Sequence, residues 1–125
     1  MAVTRSNQPD ARQGTPMILK FPYIRSKKLL KLVACLDCQI CGSGLMVQAA
    51  HSNMAQHGKG RGIKASDEYT AALCMSCHYD IDQSTKWSKA ERQLAWTVAH
   101  YKTVQSLTES GQWPVDIPIP EIAQC

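Results

Sequence analysis

Apolar and polar positions alternate in three kinds of stretch along this chain. Leu29, Leu30, Leu32 and Val33, interleaved with Lys27, Lys28 and Lys31, predict a helix over about 27–34 with Ser26 as its N-cap. Leu45 to Ala50 and Tyr69 to Leu73 are short apolar runs that predict two strands, the second antiparallel to the first. Cys74 stands at the end of the second, and a short helix begins near Met75 and finishes between Asp80 and Ser84. Ser88-Lys-Ala-Glu91 is a capping box, and it predicts a helix over about 89–109 with Leu94, Val98, Tyr101, Val104 and Leu107 near its buried face. Gly111 and Pro114 stop that helix. These elements imply an α+β fold: a β-hairpin core with a flanking N-terminal helix and a long C-terminal helix.

The ends read differently. Residues 1–16 are polar, carry Arg5 and Arg12 and have no period, so they read as a disordered basic arm. Met17 to Ile24 reads as a short extended piece, since Pro22 blocks a helix. Residues 17–112 form one domain, and 113–125, with three prolines, form an extended tail lying along the domain or free of it.

At 125 residues the chain builds only a modest core, which a structural metal would strengthen. No run of about 18 apolar residues is present to span a membrane, and the start lacks the apolar stretch of a signal peptide. The expected location is therefore a reducing cytoplasm, where six cysteines, five of them in Cys-x-x-Cys spacing, read as metal ligands before disulfides.

Net charge is +4, divided unevenly: residues 1–64 carry +8 and residues 65–125 carry −4. Such asymmetry suits a polyanion on one face, although a solvated surface would look the same. Gly58-Lys-Gly-Arg-Gly-Ile-Lys64 is a basic glycine-rich loop without the Gly-Lys-Ser/Thr ending of a phosphate-binding P-loop. Lys59, Arg61 and Lys64 are its candidate DNA contacts.

Cys38-Gln-Ile-Cys41-Gly42 and Cys74-Met-Ser-Cys77 are two thiolate turns separated by 32 residues, room for a strand, a loop and a return strand. Together they offer the four soft ligands of a structural Zn²⁺. Cys35 extends the first turn to Cys-x-x-Cys-x-x-Cys, so the register is ambiguous; Cys38 and Cys41 are preferred because Cys35 ends the preceding helix. A redox pair is the competing reading, without the strand–helix context that favours one. His78 and Asp82, four apart on one helix face, offer a nitrogen and an oxygen to a second, divalent ion such as Mg²⁺. His51, ending the first strand, is a candidate general base facing that ion.

Cys38-Gln-Ile-Cys-Gly, Ala49-Ala-His51 and Leu73-Cys-x-x-Cys-His78-x-x-x-Asp82 together resemble the HNH endonucleases, over about residues 35–85. The nearest likeness is to the phage and prophage branch with a basic glycine loop. The resemblance implies a treble-clef, ββα-metal core braced by zinc. It implies His51 as general base, His78 as metal ligand and Asp82 as a further ligand. Two positions depart from the pattern. Ala50 stands where many members carry a metal-binding Asp, and Asp67 and Glu68 stand near where many carry the Asn that orients the base. Asp67 is the candidate to hold the His51 ring. The expected function is metal-dependent hydrolysis of DNA phosphodiesters in a bacterial host cell, with RNA left open as substrate. The alternative is a zinc-finger module that binds nucleic acid without cutting it.

Overall fold

A computed structural model describes residues 21–121. The basic arm expected over 1–16 and the last residues of the tail lie outside the described residues. Helix α1 spans Lys27–Ala34, and the Ser26 hydroxyl accepts the Leu29 N–H at 3.1 Å, as an N-cap should. Strand β1 is Val47–His51 and β2 is Thr70–Cys74, each displaced slightly from its apolar run. They pair antiparallel, Val47 opposite Cys74 and His51 opposite Thr70, as a two-stranded sheet. Helix α2 is Met75–Asp82 and α3 is Lys89–Glu109, the latter with both hydrogen bonds of the Ser88/Glu91 capping box.

Side-chain alternation gives the hairpin two different faces. Val47, Ala49 and Ala72 pack with Leu29 and Val33 of α1, Leu107 of α3, and Trp113 and Ile117 of the tail. Ala50, Ala71 and Leu73 pack on the other face with Ile81 of α2 and Trp96 and Ala99 of α3. Within α1 the buried stripe is narrower than the sequence suggests, for only Leu29 and Val33 are fully buried.

Helix α3 sits rotated from the expected face. Val104 and Leu107 are buried as expected, but Leu94 is 58% exposed and Val98 and Tyr101 are also exposed, while Trp96, Ala99, His100 and Thr103 complete the buried set. The reason lies in the sheet. A two-stranded sheet leaves the outer edge of β2 unpaired, and buried backbone groups need partners. His100 Nδ1 meets the Thr70 carbonyl at 2.8 Å. The Ala72 N–H donates to the Thr103 hydroxyl at 3.0 Å, and the Ala72 carbonyl accepts the Gln39 N–H at 2.9 Å. Two polar side chains thus finish the sheet edge, and apolar counting alone misplaces the face they define.

After α3, Gly111 adopts φ +74°, and the Gln112 and Trp113 N–H groups fold back to the Leu107 carbonyl. No helix among the described residues is long and apolar enough to cross a membrane.

Candidate metal centre and nucleic-acid face

The thiolate turns are set by local chemistry. Gly42 takes φ +81°, which closes the first turn: its N–H reaches the Cys38 carbonyl at 2.9 Å, and the Cys38 N–H reaches the Ser43 carbonyl at 2.8 Å. The second turn is the start of α2, where Cys74 is the N-cap and its sulfur accepts the Cys77 N–H. Strand pairing then brings the turns together. The sulfurs of Cys38, Cys41, Cys74 and Cys77 all lie within 4.8 Å of one another, with Cys41 and Cys74 3.6 Å apart. A tetrahedron with Zn–S bonds of about 2.3 Å has edges of about 3.8 Å, so the set fits a zinc ion. Cys35 is the C-cap of α1 and stays outside the set.

The thiols feel one another. Burial pushes the Cys38 thiol up, but backbone N–H groups near Cys41, Cys74 and Ile40 outweigh it and bring it down to about 6. Burial and then the neighbouring sulfurs push Cys77 up. Four thiolates this close repel until a cation joins them.

Two histidine–carboxylate pairs flank β1. His51 Nε2 lies 2.8 Å from Asp67 Oδ1. Asp67 also accepts the Ser26 N–H at 2.7 Å and the Arg25 guanidinium at 3.2 Å. Burial alone would raise this carboxyl; the His51 ring, the Ser26 N–H and Arg25 outweigh it and hold it below the usual carboxylate range. When Asp67 accepts from Nε2–H, His51 keeps its lone pair on Nδ1, which has no hydrogen-bond partner among the described residues.

The second pair rides on α2. His78 Nε2 lies 3.0 Å from Asp82 Oδ2, the two sharing one helix face. His78 Nδ1 meets Gln48 Oε1 of β1 at 2.7 Å, and Asn53 Nδ2 donates to Asp82 Oδ1 at 2.7 Å. The Asp82 carboxyl is pushed up by burial and, more strongly, held down by His78, Asn53 and the nearby Lys59 charge. Gln48 and His51 leave β1 on opposite faces, so the pairs stand on either side of the strand. Among the described residues the four cysteines are the one convergent set of three or more ligands; His51, expected to face the His78–Asp82 ion, does not, because strand alternation turns its side chain to the other face of β1.

The basic loop is pinned at its base and open at its tip. Gly60 and Ile63 exchange two 3.1 Å backbone bonds, and Lys59, Arg61 and Lys64 are exposed around them. Tyr23 donates to the Gly58 carbonyl at 2.6 Å and Arg25 to the Lys64 carbonyl at 2.8 Å. Gly58, at φ +96°, is packed so closely that a Cβ there would meet the Phe21 and Tyr23 rings at 2.9 Å.

Gln48, Asn53 and Arg25 carry no signal in the sequence, because each is an ordinary polar residue placed only by the fold. Ala50, where the resembled family carries a carboxylate, is 1% exposed in the core with Ile81 and Trp96, where an unpaired charge would be costly. Comparison with family models, curated proteins and solved structures found no match to this chain.

Proposed function

We propose that this chain is a metal-dependent endonuclease of HNH type that hydrolyses DNA phosphodiester bonds. On this reading the hairpin and α2 are the ββα-metal core of a treble clef, and zinc at Cys38, Cys41, Cys74 and Cys77 braces it. The observation that carries the proposal is the two histidine–carboxylate units, one on β1 and one on α2, on either side of the four-cysteine hairpin strand and beside a basic loop. His78 and Asp82 would hold the divalent ion. His78 Nε2 and Asp82 Oδ2, 3.0 Å apart on one face of α2, are the nitrogen and oxygen that would hold it. Such an ion supplies charge stabilisation at the scissile phosphate and the leaving oxygen.

The remaining work falls to the chain itself. Asp67 fixes the His51 ring and its tautomer, leaving Nδ1 as the free base; because the two pairs lie on opposite faces of β1, the scissile phosphate would have to reach it past the end of that strand. Lys59, Arg61 and Lys64 draw the strand in and hold its phosphates. Gln48 and Asn53 keep His78 and Asp82 in place before an ion arrives.

The test is nicking of supercoiled plasmid with added Mg²⁺ or Mn²⁺. Wild-type protein should nick, and His51→Ala should lose roughly 10²-fold or more while keeping its fold and its zinc. Equal nicking by both proteins would remove His51 from the chemistry. The burial of Ala50 favours one second reading, a zinc-finger module that binds nucleic acid without cutting it. Wild-type protein that binds plasmid or branched DNA and leaves it intact with either ion establishes that module instead.

A further inference from the structure

Beside Asp82 lies a cavity of about 140 Å³ that the proposed chemistry does not use. Met54, Ile81 and Trp96 make its apolar floor, and Asn53, Lys89, Arg92 and Gln93 complete the lining. Asn53 links it to the second pair, since the same side chain donates to Asp82.

Several polar groups of the lining have unused hydrogen-bonding capacity. Arg92 Nη1 donates to the Asp82 carbonyl at 3.2 Å, which anchors the guanidinium. Its Nε–H is buried and has no partner, a costly state for a charged donor. Neither Arg92 nor Lys89 pairs with a carboxylate among the described residues. Asn53 spends its amide nitrogen on Asp82 and keeps its oxygen. The Gln93 amide has no side-chain partner among the described residues, so an acceptor and donors stand together above an apolar floor.

We infer that this cavity takes an unstacked nucleobase of the bound strand. The volume is below the roughly 300 Å³ of a drug-sized site and suits one flat ring system. Amide and guanidinium groups over an apolar floor read base edges, while a cation at the rim meets the flanking phosphate. The inference rests on the reading above in one respect: it takes the strand to run past Asp82.

The experiment is titration of the zinc-loaded, ¹⁵N-labelled full chain with each deoxynucleoside 5′-monophosphate, without Mg²⁺, followed by amide and indole NMR. The Trp96 indole N–H and the Gln93 amide should shift saturably, with the Trp113 indole unmoved. Inorganic phosphate should leave Trp96 and Gln93 in place. Arg92→Ala should weaken binding roughly tenfold or more, as loss of a charged hydrogen bond does. Because Arg92 also ties α2 to α3, Lys89→Ala and Gln93→Leu, both at accessible positions, supply the second arm and should each weaken binding several-fold.

No shift at Trp96 with any nucleotide, the same shift with phosphate alone, or unaltered binding in both Lys89→Ala and Gln93→Leu would each overturn the inference. Plasmid nicking with Trp96 unmoved removes the base site and leaves the nuclease. Nucleotide binding at Trp96 without nicking does the reverse.

Discussion

Asp67 shows how much one side chain can organise. It joins His51 of β1, Arg25 and the Ser26 N–H at the start of α1, with its side chain only 4% exposed. Asp67→Asn keeps the size and loses the charge that favours Nε2–H on His51. Plasmid nicking should fall by roughly 10²-fold or more with zinc retained; unchanged nicking would show that the ring needs no carboxylate. The sequence offered Asp67 as a candidate, but not Arg25 or Ser26, because their convergence depends on a long-range fold. His100 is a second case. Its Nδ1 serves the sheet edge, its Nε2 is buried without a partner, and burial above all lowers its pKa to about 4. The unfolded chain, with a His pKa near 6.5, therefore takes up a proton at a higher pH than the native protein does. Stability should be flat above about pH 6.5, fall as pH drops toward 4, and level off below. Between pH 7 and pH 5 the loss from this residue is about 2 kcal/mol, readable in urea unfolding. His57, also lowered by burial, adds in the same direction. His100→Gln should flatten that slope; an unchanged slope would mean that His100 is not held neutral.

At the level of elements, local signals specify where each element forms but not which face it buries. The Ser26 cap, the Ser88 capping box and the two apolar runs are short-range features, and α1, α3 and the hairpin formed where they indicate. Rotation of α3 was not legible, because it answers to the unpaired edge of β2 rather than to hydrophobic period. Ser88→Ala should cost about 1 kcal/mol and lower the melting temperature with the fold kept. The basic loop was legible as charge and glycine, while its anchoring by Tyr23 and Arg25 was not. Replacing Lys59, Arg61 and Lys64 with Ala should reduce the salt slope of DNA binding by about 1 per lost phosphate contact. A slope identical to wild type would place the DNA elsewhere.

For the whole molecule, the four cysteines join what secondary structure alone holds loosely. Two small clusters on opposite faces of a two-stranded sheet are a slender core. The Cys-x-x-Cys spacing made this centre the most legible feature of the chain, since only four ligand positions needed to coincide. One histidine pair starts from β1 and the other rides on α2, directly after the Cys74 turn, so both depend on how the hairpin closes. Closure of the four sulfurs around one ion is accordingly the claim from which the rest follows, and native mass spectrometry of the purified chain tests it most directly. The expected mass is that of one chain with one zinc and all thiols reduced, the zinc lost in Cys74→Ser. A metal-free mass in wild-type protein prepared with zinc available, or one reduced by the hydrogens of two disulfides, would contradict it.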